Sequence, residues 1–255
     1  MKTITLIVLT TVFSLSSFSQ EYKMNIENAK RLSVSNFPAG IVIEATNGNE
    51  LIIQTQNFSK PPERADGLKP LSDIVDNTQI GLQVVISGDA IEVKGATKRI
   101  EDAIYTFKVP ASLVVKLDFS SPFADEDIRI KGISNEIEIQ ALNPDIFLEN
   151  ITGPAVINAI NGDINIVISK LNQESPSSIT AINGVLDISL PGDTKADLEI
   201  RTVNSEVYTN LDIEIPGKSK NMDFIGGRNV GGKLNGGGVE LKLTAINDNI
   251  YLRKK

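Results

Sequence analysis

The sequence predicts an all-β fold, a single-stranded β-helix or β-solenoid with rungs of 21–22 residues. One corner phrase recurs: Ala-Ile-Asn-Gly-Asp-Ile-Asn-Ile at 159–166, Ala-Ile-Asn-Gly-Val-Leu-Asp-Ile at 181–188, Thr-Val-Asn-Ser-Glu-Val-Tyr at 202–208 and Ala-Ile-Asn-Asp-Asn-Ile-Tyr-Leu at 245–252. With the Asn as position zero, apolar residues fall at −1, +3 and +5: Ile160, Ile164, Ile166; Ile182, Leu186, Ile188; Ile246, Ile250, Leu252. Val203, Val207 and the polar Thr209 keep the register, and Ser134 and Thr152 mark two weaker corners under the same rule. The strong corners lie 22, 21 and 43 residues apart, so the last gap reads as two periods with a corner hidden in the Gly-rich segment 226–238.

A fixed period outranks any local signal. Asn-Gly between alternating strands is also a hairpin signal, and a meander of hairpins would bury one face too. Sameness separates the two. A stack needs matching corner volumes because each corner sits on the next, whereas a meander does not. The corner Asn is expected in left-handed geometry, with its amide bonded to the Asn of the next rung.

The elements follow in order. Residues 1–19 read as a removable export signal: Lys2, an apolar run from Ile4 to Phe13, and small residues before cleavage after Ser19. No stretch reaches the roughly 20 apolar residues of a membrane span, so no transmembrane segment is expected in the mature chain. Residues 20–255 are expected to form one β-solenoid domain. Strand patterns cover Ser33–Ser35, Ile41–Ala45 and Leu51–Gln54, with a turn at Asn47-Gly48. The stretch 57–80 breaks the period and reads as a long loop with a short helix near Leu71–Val75. Strands resume at Leu82–Ile86, Ile91–Val93, Ile104–Pro110 and Leu113–Leu117, before a second loop at Ser120–Asp127.

Composition narrows the function classes. Without His or Cys, a Ser-His-Asp triad, a Cys-His dyad and the usual zinc ligand sets are impossible. Absence of Cys also removes disulfides and an acylated N-terminal Cys. A net charge of −7 gives no electrostatic reason to seek nucleic acid. With no Trp and four Tyr, ring stacking on sugars is poorly served. Asp125-Glu126-Asp127 is the densest acidic cluster, but neighbouring residues on a strand point to opposite faces. The Gly runs at 226–232 and 236–238 lack the Lys-Ser/Thr of a phosphate loop and the Asp of a calcium repeat. They read as a flexible loop followed by tight backbone packing. Outward polar residues (Asn158, Asp163, Asn165, Thr180, Asp187, Ser189, Glu199, Arg201) are expected to form ladders on the sheet faces.

The Asn-Gly corners of 159–188, Arg64–Leu68 and the run Leu234–Leu241 with its closing Ile246–Arg253 resemble a family of exported bacterial proteins. That family is grouped as a domain of unknown function under the label "putative adhesin". The resemblance covers most of the mature chain and implies a single-stranded β-helix outside the cytoplasm. It brings no catalytic residues. Ser205 and Asp248 depart from the pattern, standing where Gly is expected.

The expected protein is therefore an exported, non-enzymatic, adhesin-like interaction module at the cell envelope, periplasmic or on the surface. It has no catalytic, cofactor-binding or metal-binding residues and no cofactor, and its partner is an envelope protein or a glycan, not nucleic acid. The alternatives are a polysaccharide lyase or hydrolase using the acids at 125–127, and an accessory of envelope-stress signalling acting through the 57–80 loop.

Overall fold

A computed structural model describes residues 20–68, 70–71, 73–215 and 229–255. The signal segment 1–19 and residues 226–228 of the Gly-rich run lie outside them.

Period-two alternation of β-branched residues yields strands throughout. The N-terminal region holds β1 (Gln20–Asn25), β2 (Arg31–Ser35), β3 (Gly40–Thr46), β4 (Glu50–Gln56), β5 (Leu82–Ser87), β6 (Ala90–Gly95) and β7 (Ile104–Pro110). The middle holds β8 (Val114–Phe119), β9 (Ile128–Lys131), β10 (Ile137–Ala141), β11 (Ile146–Ile151), β12 (Ala155–Ala159), β13 (Ile164–Ile168), β14 (Ser177–Ala181) and β15 (Leu186–Leu190). The C-terminal region holds β16 (Ala196–Thr202), β17 (Val207–Thr209), β18 (Ile213–Glu214), β19 (Asn229–Leu234), β20 (Val239–Ala245) and β21 (Ile250–Lys254).

The fold is all-β, with two large mixed sheets and no closed barrel. The first sheet runs β1-β4-β7-β3-β9-β11-β13-β15-β21-β17; the second runs β18-β19-β16-β20-β14-β12-β10-β8-β2-β6-β5. From β8 to β15 successive strands alternate between the sheets, and each pairs in parallel with the next strand of its own sheet. A strand of the second sheet, its corner and the following strand of the first sheet make one layer. Inward residues of both sheets merge into one core, among them Ile137, Ile157, Ile164, Leu186, Leu243 and Ile250.

The corners obey the register rule with corrections. The +3 and +5 residues Ile164, Ile166, Leu186, Ile188, Ile250 and Leu252 are buried, but the −1 residues Ile160 and Val203 point outward. The core takes the −2 residue instead: Ala159, Ala181, Thr202 and Ala245. None of the corner Asn residues is left-handed; positive φ among non-glycine residues falls at Glu27, Asn36, Asn57, Gln79, Asn150 and Asn235. The amide ladder does form, since Asn161 donates to Asn143 (2.9 Å), Asn183 to Asn161 (3.0 Å), Asn247 to Asn183 (2.6 Å) and Asn204 to Asn247 (3.2 Å). Gly162 and Gly184 are needed for closeness: a Cβ there would lie 1.8 Å from Pro144 O and 2.1 Å from Gly162 O. Ser134 and Thr152 belong to the opposite edge, where Thr152 N donates to Ile133 O and Ser134 N to Ala111 O.

Chain order and spatial order part company at both ends. The layer β20–β21 does not follow β16–β17; it inserts between that layer and β14–β15. Among the described residues of the 43-residue gap no further corner of this column appears. Residues 229–234 form β19, antiparallel to β16, and Gly238 supplies close packing, its missing Cβ being 2.9 Å from Lys195 O. At the other end β2–β3 inserts between β8–β9 and β6–β7. The strands flanking Asn47-Gly48 do not pair, because β7 lies between β3 and β4.

The long loop is more built than its sequence suggests. Its one-turn 3-10 helix lies at Glu63–Ala65, not near Leu71–Val75. Asp76 then accepts bonds from Thr78 N, Thr78 Oγ1, Gln79 N and Gly81 N at 2.9 Å. Ile80 and Thr78 are buried, and the Tyr105 hydroxyl donates to Ile80 O at 2.5 Å. Burial pushes the Tyr105 phenol well above its ordinary range, and the nearby Asp76 charge adds to this.

Candidate functional site: faces and ends of the sheets

The outer face of the first sheet carries the +4 residues in one row: Tyr208, Tyr251, Asp187, Asn165 and Phe147, then Arg129. Strand spacing sets neighbours in such a row about 4.8 Å apart. Tyr208 and Tyr251 stack at 5.4 Å and 14°, and the Arg129 guanidinium lies 4.1 Å over the Phe147 ring. The rings thus spend faces on each other and on Arg129, leaving little flat platform for a sugar. Arg253 reaches Asp187 at 2.8 Å, which raises its already high pKa. A hydrogen bond to the Glu206 carboxylate, and its charge, push the Tyr208 phenol up. Between Phe147, Arg129, Lys131, Glu44 and Val42 lies an open groove of about 280 Å³.

The second sheet's outer face is polar. Gln140, Asn158, Thr180 and Thr244 form one row, flanked by the ion pairs Lys116–Glu138 (2.6 Å) and Lys242–Glu199 (2.8 Å). Of the polar residues expected on the faces, Asp163 instead sits in a corner, where its carboxylate accepts Val185 N at 2.8 Å.

The acids at 125–127 do not converge. Asp127 pairs with Arg129 at 2.6 Å, and Glu126 lies beside Gly40. Among the described residues no His/Cys/Asp/Glu group is placed to hold a metal. The same loop shows Phe123 to solvent next to a second open cavity of about 280 Å³, lined by Pro38, Ile74, Thr97 and Glu101. Leu68, Leu71 and Val75 of the long loop are also exposed.

Sequence reasoning missed Asn143, although Leu142, Ile146 and Leu148 fit the −1, +3, +5 rule; Pro144 in place of Gly hid it. It also missed the aromatic at +4, present at Phe147, Tyr208 and Tyr251.

No family profile and no curated protein matches this chain. The chain is similar to the crystal structure of a "putative cell adhesion protein" from Clostridium sporogenes, at 11% identity and TM-score 0.44, over 93% of this chain and 100% of the other. A "putative adhesin" from Bacteroides fragilis gives 12% identity and TM-score 0.29, over 94% and 98%. Another from Parabacteroides distasonis gives 10% identity and TM-score 0.30, over 93% and 98%. These names carry the label of the group that the sequence resembles. At such identities and scores they carry no functional argument, which rests on the residues.

Proposed function

We propose that the chain is a two-sided β-solenoid, exported from the cytoplasm as one domain over 20–255, that serves as a non-enzymatic interaction module at the cell envelope. The winding is supported by the amide ladder Asn143–Asn161–Asn183–Asn247–Asn204, which runs through layers joined by parallel pairing. The interaction reading is carried by how the carboxylates on the faces are used. Asp127, Glu138, Asp187 and Glu199 are each held by a cation, so they stabilise a surface and do not aim at a shared substrate atom. Such exposed pairs order side chains on the surface and add little to stability, which fits a surface shaped for contact. The test is crosslinking capture with the tagged mature protein on its own cells, beside a screen for turnover of uronate-rich and neutral glycans. Capture of a specific envelope protein or glycan without turnover supports the reading. Turnover lost in Asp125→Ala or Asp127→Ala would replace it with a polysaccharide-active enzyme.

A further inference from the structure

The two sheets do not end together at the C-terminal end of the stack. The layer β16–β17 is the last to have a strand in each sheet. Beyond it the second sheet continues through β19 and β18, while the first sheet stops at β17 among the described residues. The result is a step, floored by the free edge of β17 and walled by the inward side of β19 and β18. Val230, Gly232 and Ile213 face into it; Val207 and Leu211 at its base are only half-buried.

The edge is open in a specific way. Ile250 N donates to Glu206 O at 2.9 Å, so alternate residues of β17 turn their backbone groups to β21, and Val207 and Thr209 turn theirs outward. Natural edges are blunted by Lys, Pro or bulges, and Val207-Tyr208-Thr209 has none of these. Each ladder of the stack stops here. In the amide ladder Asn161, Asn183, Asn247 and Asn204 each donate to the Asn of the layer nearer the N-terminal end, and Asn204 Oδ1 accepts no bond among the described residues. Tyr208 stacks on Tyr251 with one ring face and is itself 48% exposed. Two further groups nearby have no hydrogen-bond partner among the described residues: Thr202 Oγ1, in a residue only 2% exposed, and Ser205 Oγ.

We propose that this step is a strand-docking site that takes one extended segment of a partner polypeptide, parallel to β17, by β-augmentation. The segment carries Asn, an apolar residue three positions on and an aromatic at the fourth. Its amide donates to Asn204 Oδ1, its apolar residue covers Val207, and its ring stacks on Tyr208. The chain uses this phrase for its own layers at Asn143-Pro-Asp-Ile-Phe147 and Asn247-Asp-Asn-Ile-Tyr251. A folded second copy does not fit: pairing through β17 would drive its own β16 into the place held by β19. The proposal deepens the interaction-module reading and rests on it only for the existence of a partner. The cell-based capture tests that reading and the titration below tests the site, so the two can fail separately.

The chain has no Trp, which makes a Trp-labelled peptide a clean probe. The probe copies residues 245–253, with tryptophan in the place of Tyr251. Titration of the full mature chain into it should give a saturable blue shift of emission. Replacing the peptide Asn by Ala should weaken binding several-fold. Thr209→Pro removes an outward N–H and blocks the edge without touching the bonds to β21, though it also removes the hydroxyl that accepts Leu211 N; it should weaken binding about tenfold or more, with only a small shift of the thermal midpoint. Should that variant misfold, Tyr208→Ala replaces it, with the same expected weakening. Phe123→Ser, at the other end, should bind as wild type. No saturable shift with the wild-type chain overturns the proposal, as does equal binding by the edge variants. Binding that appears only after residues 217–227 are replaced by a Gly-Ser linker also overturns it, because the edge then belongs to the chain's own segment.

Discussion

The two ends of the stack are finished differently. At the N-terminal end the long loop folds back on the edge strand β5. The Asn77 side chain donates to Val84 O (2.8 Å) and accepts from Val84 N (2.9 Å), while the Thr78 hydroxyl bonds both Leu82 O and Leu82 N. Two side chains thus imitate a neighbouring strand, with Ile80 driven into the core beneath them. At the C-terminal end, among the described residues, no strand pairs with the outer edge of β17, Val207 is half-buried and Asn204 Oδ1 accepts no bond. The difference teaches that a stack of parallel strands has no intrinsic terminus, since each layer is a template for another. At one end a loop covers β5, the edge strand of the second sheet; at the other the first sheet keeps a template at β17 among the described residues.

The largest expected effect tests burial at the two ends. Ile80→Ala should cost about 3 kcal/mol by urea unfolding, as a fully buried aliphatic does. Val207→Ala should cost about 1 kcal/mol or less, because its site is half-exposed. Equal costs would erase the distinction. Asp76→Ala strips the N–H groups of Thr78, Gln79 and Gly81 of their acceptor and should cost about 2 kcal/mol, with faster aggregation through the freed β5 edge; unchanged stability and light scattering would show that the loop does not cover that edge.

Next comes Tyr105→Phe, which leaves Ile80 O without its donor and should cost about 1 kcal/mol. The Tyr105 phenol has a folded pKa raised above its ordinary value near 10. Its contribution is therefore full below pH ~10 and is lost as pH rises toward the folded value. Alkaline unfolding should shift in Tyr105→Phe; identical profiles above pH ~10 would remove Tyr105 from the seal. The smallest effect compares places in the amide ladder. Asn183 has a bond on each side and Asn204 one, so Asn183→Ala should cost about 1 kcal/mol and Asn204→Ala about half that. The reverse order in thermal melts would mean that the ladder is not read from its middle outward.

Much of this was legible in particular residues. The recurrence Asn161, Asn183, Asn204, Asn247 marked one column of corners, and the +3 and +5 apolar residues marked its inward face, because period two admits only one buried side. The faces were legible only as polar. Which carboxylate meets which cation, as Asp187 with Arg253 across 66 residues, depends on which layers are neighbours. The candidate site at β17 was illegible for the same reason. Nothing local in Val207-Tyr208-Thr209 says that it ends a sheet, and the 43-residue gap invited a hidden corner where the chain in fact doubles back.

By itself the sequence determined the β class, the amide ladder of the corners and the buried +3 and +5 positions, but not the backbone angles of the corner Asn or the outward −1 residues. These depend on interactions within a few residues and on a repeat that any correct layer must satisfy. Only the tertiary structure decided the order of the layers. Near-identical corners fit on one another in many sequences of stacking, so local chemistry is almost indifferent to order. Long-range packing selects one: β2–β3 and β20–β21 are inserted between neighbours, the loop with Asp76 and Ile80 covers β5, and the edge of β17 has no partner strand among the described residues.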